Sequence, residues 1–465
     1  MKYIATRGES PSLSFSEATL QGLSKNGGLY VPETTKRLLI DDWLGNATYR
    51  ETALAVLSPF VGKDIPADDL EAIVQDSYDP SNWNCEEVTP VTRLEDNDHV
   101  LELFHGQSAA FKDVAMSAVS RVIRHNLAIT GDKITIVVAT SGDTGPAAIK
   151  GFANIPGVEL FVLFPARGTS DFQRKQMTTE TARNVHALAI EAPFDPIQAM
   201  VKSMLLGDFH ERYKTRAVNS IAWARIWAQI PYYFYGYPRG VSEIGERLTY
   251  IVPTGNFGNI FAGWESREMG LPIDLVLATN SNKVLVKFIN EGVYEPQKET
   301  IPTISPSMDI QGASNLERLV FYLVGCDPDR VRHLYARLLS HGRFSLEGDE
   351  LDRLHECGIR AGFATEEEAK HQILKVFKKH GYVIDPHTAN GFAVAEKLKI
   401  KGPRMYVSTA SPIKFEPAVR AAAVYAPLKR PANLVGIENL PERVKTLPND
   451  VDAVKRHIVK VLEAA

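Results

Sequence analysis

From about Val100 onward, short runs of apolar residues alternate with longer stretches that have helical periodicity. The strand-like runs VLELF, ITIVVAT and VELFVLFP are separated by helix-like stretches such as DVAMSAVSRVIRHNLAI. The alternation returns at TYIVPTG and IDLVLATN, and RMYVSTAS precedes the helical stretch FEPAVRAAAVYA. Consecutive Val and Ile residues are typical of strands buried on both faces of a parallel sheet. The pattern therefore predicts an α/β fold assembled from βαβ units.

The predicted βα units fall into two groups, on either side of about residue 215. We expect an N-terminal extension domain over residues 1–95, a smaller α/β module over 96–215 and a larger one over 216–465, with a cleft between the two modules. Residues 290–380 are largely helical with Pro-rich loops, and we expect them to form an insertion or cover. A chain of 465 residues can bury a large core without disulfides.

Composition and charge exclude several classes of protein. Lys and Arg total 52 against 56 Asp and Glu, a net charge of −4, whereas nucleic-acid-binding domains are usually basic. No apolar run reaches the ~18 residues of a membrane-spanning helix, and the first residues lack the apolar core of a signal peptide. Cys85, Cys326 and Cys357 lie far apart without a C-x-x-C pair, so no disulfide framework or metal site is indicated. We expect a cytoplasmic protein that binds neither nucleic acid nor membrane.

Ligands of open α/β sheets bind beyond the carboxyl ends of the strands, so the strand-to-helix turns are the places to search for a site. The first unusual turn follows ITIVVAT and contains Ser141, Gly142, Asp143 and Thr144. Its small residues let backbone N–H groups face an anion at the start of the next helix. An ordinary turn capped by Asp143 or Thr144 fits the same residues, so this turn alone leaves both interpretations open.

The second turn follows TYIVP and places two glycines within five residues. Its members are Gly255, Asn256, Phe257, Gly258 and Asn259. Glycine permits positive φ and close backbone approach, so several amides can converge on one phosphate. The turn matches neither G-x-G-x-x-G nor the nucleotide P-loop. It predicts a cup for a single phosphate group, with a tight glycine turn as the simpler alternative.

Lys112 stands in an unusual setting, within FHGQSAAFKDVAM at the start of a helical stretch. A lysine held among apolar side chains has its ammonium form disfavoured, and its free amine can attack a carbonyl. A third polar turn, VSTASPIKF, offers the hydroxyls of Ser408, Thr409 and Ser411. An amine, a phosphate cup and a polar partner for a ring nitrogen are together what pyridoxal phosphate requires. The sequence therefore predicts this cofactor.

Six strings between about residue 3 and residue 425, in the right order, resemble threonine synthases. They are SFSEATLQGLSKNGGLYVP, LELFHGQSAAFKD, VVATSGDTGPAA, VPTGNFGN, SPSMDIQGASNLERL and STASPIKF. The resemblance is closest to the longer branch of the family, which carries an N-terminal extension, and to its threonine synthase-like relatives. It implies the fold type II of pyridoxal phosphate enzymes, which is the tryptophan synthase β-like kind. In that fold two parallel-sheet α/β domains enclose the cofactor.

The resemblance also implies roles for individual residues. Lys112 would form the Schiff base with pyridoxal phosphate and act as the catalytic acid and base. Thr409 would hydrogen-bond the pyridine nitrogen, and Asp143 would lie near the 3-hydroxyl side of the cofactor. The residues implied to hold the cofactor phosphate are Gly255, Asn256, Phe257, Gly258 and Asn259. The residues implied to bind the substrate are Ser141, Gly142, Asp143 and Thr144 at its carboxylate, and Asn219, Ser220, Arg225 and Lys414 at its phosphate.

Threonine synthases are carbon–oxygen lyases that convert O-phospho-L-homoserine and water into L-threonine and phosphate, and the resemblance implies this activity. Lys112 would remove the Cα proton, Cβ would then lose a proton, phosphate would leave from Cγ, and water would add at Cβ. The expected partner is therefore a small phosphorylated amino acid. The expected assembly is a monomer or a homodimer.

Two departures from the family pattern fall on the substrate side. Ala222 stands where relatives commonly have Asn in N-S-I-N-x-x-R, and Ser411 stands where many have His in T-A-H-P-A-K-F. These departures favour two alternatives. One is a threonine synthase-like phospholyase that releases 2-oxobutyrate, ammonia and phosphate, and the other is a homologue acting on a different phosphorylated or phosphonate amino acid. A binding protein that kept only the fold would tolerate loss of Lys112, and the retention of this lysine argues against it.

Overall fold

The computed structural model describes residues 1–41, 43–140, 142–167 and 169–464. The strands are β1 (Tyr3–Ala5), β2 (Tyr30–Pro32), β3 (Val91–Glu95), β4 (Asp98–Glu102), β5 (Ile134–Ala139), β6 (Val158–Pro165), β7 (Val185–Ile190), β8 (Thr215–Arg216), β9 (Leu248–Pro253), β10 (Ile273–Thr279), β11 (Val293–Tyr294), β12 (Phe344–Ser345), β13 (Ile359–Phe363), β14 (Arg404–Ser408) and β15 (Val444–Leu447).

The α-helices follow the same chain order. They are α1 (Phe15–Gln21), α2 (Trp43–Asn46), α3 (Tyr49–Val61), α4 (Ala67–Ser77), α5 (Lys112–Thr130), α6 (Thr144–Phe152), α7 (Asp171–Thr178), α8 (Phe194–Met204), α9 (Gly207–Tyr213), α10 (Trp223–Trp227), α11 (Pro231–Gly240), α12 (Gly258–Glu268), α13 (Val284–Glu291), α14 (Leu316–Leu323), α15 (Pro328–His341), α16 (Asp349–Glu356), α17 (Glu366–His380), α18 (Pro386–Lys397), α19 (Glu416–Ala422) and α20 (Val451–Leu462). Short 3-10 helices span Pro80–Asn82, Pro306–Met308, Pro412–Phe415, Ala432–Leu434 and Ile437–Asn439.

Local sequence sets where several helices begin. Capping boxes start α1, α3 and α17, formed by Ser14 with Glu17, Thr48 with Glu51, and Thr365 with Glu368. In each box two backbone N–H groups that the first helical turn leaves unpaired receive a side-chain acceptor. Within the described ranges, no helix has both the length and the apolar character needed to cross a membrane.

Six strands form the larger sheet, in the order β13-β10-β9-β14-β4-β3. Neighbouring strands are parallel except at one edge, where β3 and β4 pair antiparallel. In β9, Tyr250 and Val252 pack into one core cluster, while Ile251 packs into another. Successive side chains of a strand point to opposite faces, so an uninterrupted apolar run indicates burial on both sides.

Five parallel strands form the smaller sheet, in the order β15-β7-β6-β5-β8. Its central strand β6 is also buried on both faces, because Leu160 and Val162 pack with one cluster while Phe161 packs with another. The predicted α/β class with two parallel-sheet modules is therefore confirmed.

The two sheets divide the chain differently from the predicted boundaries. β4, inside the range 96–215 predicted for the smaller module, pairs with β14 in the larger sheet. β15, inside the range 216–465 predicted for the larger module, pairs with β7 in the smaller sheet. β13 lies in the predicted cover over residues 290–380 and is an edge strand of the larger sheet. Strand membership depends on hydrogen-bond partners far along the chain, which local periodicity does not identify.

The N-terminal extension shares a core with the larger module. The ring centroids of Phe15 and Trp227 lie 4.8 Å apart, and those of Tyr3 and Trp223 lie 5.9 Å apart. The Trp227 Nε1–H donates to the Leu57 carbonyl oxygen at 3.1 Å. The extension is thus packed against the short helix α10, which follows one of the predicted substrate turns.

Replacing Phe15 by alanine should lower the free energy of unfolding by about 3–5 kcal/mol, the usual cost of truncating a buried aromatic side chain. Phe15 is fully buried, so the variant leaves a cavity between the extension and α10. Denaturant unfolding followed by tryptophan fluorescence measures the change. Leu339→Ala removes a side chain that is 87% exposed and should change the free energy by less than about 0.5 kcal/mol. A Phe15→Ala protein as stable as the parent would contradict this packing.

Candidate active site

Four loops meet at the carboxyl ends of strands from both sheets. The loops after β4, β9 and β14 of the larger sheet carry Lys112, Gly255 and Thr409, and the loop after β5 of the smaller sheet carries Asp143. Carboxyl ends of parallel strands are where open α/β sheets bind ligands. The turns identified from the sequence therefore lie close together where the two sheets meet, and their contacts are described below.

The Lys112 segment is paired with the Thr409 segment through the backbone. The Phe111 N–H donates to the Thr409 carbonyl oxygen at 2.8 Å, and the Ser411 N–H donates to the Ala109 carbonyl oxygen at 3.0 Å. These bonds fix the first residue of α5 relative to the end of β14. Thr409 itself is buried, and its hydroxyl makes no hydrogen bond to any residue that the structure describes.

Asp143 lies between two lysine side chains. The Lys112 Nζ is 3.7 Å from Oδ2 of Asp143, and the Lys414 Nζ is 2.8 Å from Oδ1 of the same carboxylate. The Lys414 ammonium also donates to the Ser108 carbonyl oxygen at 2.7 Å. The Lys414 side chain is fully buried, and that of Lys112 is 15% exposed. The contacts of Lys414 are therefore with the protein, and the substrate-phosphate role predicted for it stays a prediction.

Burial and charge act on the two partners in different directions. Burial lowers the pKa of the Lys112 amine below its ordinary value, the positive charges of Lys414 and Arg225 lower it further, and Asp143 opposes them. Burial alone would raise the pKa of Asp143, but Lys414 and Lys112 hold it well below its usual range. The site thus keeps a carboxylate charged while easing the loss of a proton from Lys112.

Hydrogen bonds from neighbouring side chains orient Asp143. The Gln173 Nε2–H donates to Asp143 Oδ1 at 2.9 Å, and a Cβ at Gly142 would lie 2.7 Å from the same Nε2 atom, so a larger residue there would displace the Gln173 amide. The Thr140 hydroxyl oxygen accepts the N–H groups of Gly142 and Gly145, each at 3.1 Å. These bonds orient the Asp143 carboxylate, which lies directly before α6 begins at Thr144. Ser141, predicted to bind the substrate carboxylate, lies outside the described residues.

The second turn, residues 255–259, is called the phosphate cup below after the role predicted for it. Phe257 has φ +66°, an uncommon left-handed conformation for a residue other than glycine. A Cβ at Gly255 would lie 2.6 Å from the Ser307 carbonyl oxygen, a backbone atom, so this position requires glycine. Within the described part of the chain, the N–H groups of Gly255, Asn256 and Phe257 donate no hydrogen bond. Unpaired N–H groups at the start of α12 are the donors that bind an anion.

Asn259, in the first turn of α12, also presents an unpaired donor. Its Oδ1 accepts the hydroxyls of Tyr232 at 2.6 Å and Tyr233 at 2.8 Å. Its Nδ2 is buried and has no partner among the described residues. An unmade hydrogen bond on a buried amide is costly, typically about 1–3 kcal/mol. The two tyrosines therefore orient the Asn259 amide so that its NH₂ remains available to a ligand.

Ser307 connects the lysine side of the site with the phosphate cup. Its hydroxyl donates to Asp143 Oδ2 at 3.3 Å, while its carbonyl oxygen lies against Gly255. Its N–H donates to the His387 Nε2 at 3.2 Å, and the His387 Nδ1 lies 2.9 Å from Asp385. His387 accepts at Nε2, so its proton is on Nδ1, directed at Asp385.

Sequence reasoning missed several of these supporting residues. Ser307 lies in the string SPSMD, which carried the resemblance but was given no role. The others are Gln173, Tyr232, Tyr233 and His387, whose only signal in the sequence is an ordinary polar or aromatic residue type. Their partners lie in distant segments, so only the fold identifies them.

The turn before α10 lies beside the phosphate cup. A Cβ at Gly258 would lie 3.8 Å from the Cβ of Ser220 and 3.5 Å from the Cδ1 of Ile226. Arg225 is buried, and burial lowers its pKa to about 10. It donates to the Val218 carbonyl oxygen at 3.0 Å, but its Nε and the Oδ1 of Asn219 are buried without a partner among the described residues. Arg225 thus keeps one donor, Nε, that is unpaired within the described part of the chain.

These residues fit the cofactor that the sequence predicts. Unpaired N–H groups and the Asn259 amide suit a phosphate, and the Thr409 hydroxyl, which has no partner among the described residues, suits a ring nitrogen. The Lys112 amine, with its lowered pKa, suits the aldehyde. The donor set therefore matches pyridoxal phosphate group by group.

Comparison with protein families gives three matches. Residues 2–78 match the family model "Threonine synthase N terminus", and residues 388–458 match "Threonine synthase, C-terminal". Residues 85–409 match "Pyridoxal-phosphate dependent enzyme". The last range contains Lys112, Asp143, the phosphate cup and Thr409.

Individual proteins give the same result over the whole chain. Threonine synthase from Methylobacillus glycogenes is 40% identical over 475 residues, covering 99% of this chain and 100% of its own. Threonine synthase from Pseudomonas aeruginosa is 38% identical over 469 residues, covering 98% of each chain. The crystal structure of pyridoxal phosphate-bound threonine synthase from Brucella melitensis superposes with a TM-score of 0.93 at 41% identity, covering 99% of each chain.

Replacing Lys414 by methionine should raise the pH at which the apoprotein captures pyridoxal phosphate. Capture requires the unprotonated Lys112 amine, so its rate should rise with pH to a midpoint below the ordinary lysine value of 10.5. The variant removes one positive neighbour and leaves Asp143 facing Lys112 alone, and both changes stabilise the ammonium form. The midpoint should therefore move to higher pH.

Stopped-flow absorbance across a pH series measures this midpoint. Lys370→Met is the control, since Lys370 pairs with Glu366 and Glu367 on a distant helix and should leave the midpoint unchanged. A Lys414→Met midpoint equal to or below that of the parent would contradict the described charge balance.

Proposed function

Because the chain belongs to the threonine synthase family, we propose that it converts O-phospho-L-homoserine and water into L-threonine and phosphate. It is a pyridoxal phosphate-dependent lyase. The observation that carries the proposal is the Lys112 amine, mostly buried beside Asp143, in a chain that matches threonine synthases over nearly its full length. Its substrate is a small phosphorylated amino acid.

The residues proposed to hold the cofactor lie in the loops after β9 and β14, which are adjacent strands of the larger sheet. The N–H groups of Gly255, Asn256, Phe257 and Gly258 and the Asn259 amide bind the phosphate, and the Thr409 hydroxyl meets the ring nitrogen. A neutral hydroxyl leaves that nitrogen largely unprotonated. When bound, pyridoxal phosphate supplies the electron sink that allows bonds to hydrogen at Cα and Cβ to break.

Lys112 moves the proton at Cα. Burial lowers the pKa of its amine, which eases formation of the unprotonated form that accepts a proton. Asp143 holds the Nζ on one side, and Lys414 and Gln173 in turn hold Asp143. The amine is thus both reactive and oriented, which is what general acid–base catalysis demands.

The substrate has two anionic ends, and the proposed turns suit one each. Ser141, Gly142 and Thr144 are proposed to bind the carboxylate, because the N-terminal end of a helix carries a partial positive charge that attracts an anion. Arg225, with Asn219 and Ser220, is proposed to bind the phosphate that leaves from Cγ. A guanidinium is well suited to a dianionic leaving group, because it donates several charge-assisted hydrogen bonds in a fixed plane.

We further propose that the enzyme acts in the cytoplasm, as a monomer or homodimer. Support for a reducing compartment comes from the cysteines: Cys85, Cys326 and Cys357 are free thiols. Cytosolic thiols are normally kept reduced.

Replacing Lys112 by alanine should abolish formation of threonine, because general acid–base catalysis alone contributes about 10²–10⁴-fold to rates. Incubation with O-phospho-L-homoserine, measuring phosphate, threonine and 2-oxobutyrate together, tests the activity and identifies the product. Circular dichroism checks that the fold is retained, and Lys370→Ala is the control. Equal amounts of threonine and phosphate from the parent protein support the proposal, whereas 2-oxobutyrate as the main product would overturn it.

Replacing Arg225 by methionine should raise KM for O-phospho-L-homoserine by about 10- to 100-fold, the equivalent of a charge-assisted hydrogen bond of about 1.5–3 kcal/mol. Methionine keeps an apolar side chain of similar length in the buried position. Steady-state kinetics at saturating cofactor measures the change. An unchanged KM would remove Arg225 from the substrate-phosphate site.

A further inference from the structure

Arg318 is a fully buried arginine that the proposed reaction does not use. Its guanidinium contacts three segments that are far apart in the chain. Nε donates to the Tyr30 carbonyl oxygen at 3.0 Å, Nη2 donates to the Ile221 carbonyl oxygen at 2.6 Å, and Nη1 donates to Asn315 Oδ1. One side chain therefore joins the N-terminal extension, the substrate-phosphate turn and the residue before α14.

Asn315 carries the contact onward to the phosphate cup. Its backbone N–H and its Nδ2–H both donate to the Asn256 carbonyl oxygen, at 3.2 Å and 3.1 Å. Arg318 has only donors, so it selects the orientation in which the Asn315 amide oxygen faces Arg318 and the NH₂ group faces Asn256. In a trans peptide the carbonyl and the following N–H point in opposite directions. Fixing the Asn256 carbonyl therefore also fixes the direction of the Phe257 N–H.

Ile221 lies between Ser220 and Arg225 in the proposed substrate-phosphate turn. Arg318 bonds its carbonyl oxygen and, through Asn315, the Asn256 carbonyl oxygen of the cup. The same guanidinium thus sets the distance between the loop proposed to hold the cofactor phosphate and the turn proposed to hold the substrate phosphate.

The N-terminal extension holds this part of the chain from two sides. Glu317 is adjacent to Arg318 and also buried. Its carboxylate accepts one hydrogen bond from the Thr6 hydroxyl at 2.6 Å and two from the Arg7 guanidinium at 3.0 Å and 2.7 Å. Arg318 reaches Tyr30, on the strand that pairs with the Tyr3–Ala5 strand. The extension therefore fixes the start of α14 through two adjacent residues, Glu317 and Arg318, each of which makes its own contacts with the extension.

We propose that Arg318 is a positioning residue, which sets the phosphate cup and the substrate-phosphate turn relative to each other, and that the N-terminal extension holds it in place through Glu317 and Tyr30. The proposal rests on the proposed function, since it concerns the same two phosphate sites. Arg318 acts through Asn315 and Ile221 and touches neither ligand. Lysine cannot replace it, because a single ammonium group lacks the planar fork that reaches three acceptors in different directions.

The test compares cofactors with and without a phosphate. Arg318→Met and Arg318→Lys apoproteins are titrated with pyridoxal phosphate and with pyridoxal, followed by absorbance and tryptophan fluorescence. Arg318→Met should weaken binding of pyridoxal phosphate by about tenfold or more, because the Phe257 N–H is no longer directed at the phosphate and one charge-assisted hydrogen bond is lost. Binding of pyridoxal, which has no phosphate, should be unchanged. Arg318→Lys should recover little of the loss. KM for O-phospho-L-homoserine should rise more than kcat falls at saturating cofactor.

Two further variants keep the test decisive. Arg7→Gln loosens Glu317 from the extension without touching the cup, so it should weaken pyridoxal phosphate binding in the same direction by a few-fold, and it stays informative if Arg318→Met does not fold. Arg330→Gln is the matched control, since Arg330 makes a two-bond pair with Glu350 on the next helix and should change neither affinity.

The outcomes separate this inference from the proposed function. Unchanged affinity for pyridoxal phosphate in both the Arg318 and Arg7 variants, or an equal loss for pyridoxal and pyridoxal phosphate, would overturn the positioning role while leaving the proposed function intact. Failure of the parent protein to bind pyridoxal phosphate would overturn the proposed function, and this inference with it.

Discussion

Asp143 supplies the negative charge that balances the two lysine side chains on either side of it. Charges interact strongly in a medium of low dielectric, so a carboxylate at this position stabilises a positive charge on either lysine. Asp143 contacts Lys414 and lies within 3.7 Å of Lys112, and this pairing keeps the carboxylate ionised. Thr140 orients its loop, while Gln173 and Ser307 hold its two oxygens. The arrangement around the reactive amine depends on this one carboxylate.

The same interaction joins the two sheets. Asp143 follows β5 of the smaller sheet, whereas Lys112 and Lys414 follow β4 and β14, which are adjacent strands of the larger sheet. Any displacement of one sheet relative to the other would change the charges around Lys112. The reactivity of the amine is therefore coupled to how the two modules meet, and Ser307 extends that coupling to the phosphate cup through Gly255.

The N-terminal extension contributes to the site without supplying a residue to it. Aromatic packing of Tyr3 and Phe15 fixes α10, and the Glu317-Arg318 pair fixes the start of α14. Both helices begin next to loops that are proposed to bind phosphate. A rigid scaffold of this kind is what precise loops require, because loops by themselves carry little stability.

Residues that are close together in the chain were enough to predict the α/β class, the turns that end the strands, the candidate lysine and the glycine-rich turn. Consecutive apolar residues indicate a strand that is buried on both faces, and glycines indicate backbone conformations that other residues avoid. The fold was needed to show which strands share a sheet, that Lys414 pairs with Asp143, and that Tyr232 and Tyr233 orient Asn259. These choices depend on hydrogen bonds and charges between distant segments, and such partners leave no pattern in the local sequence.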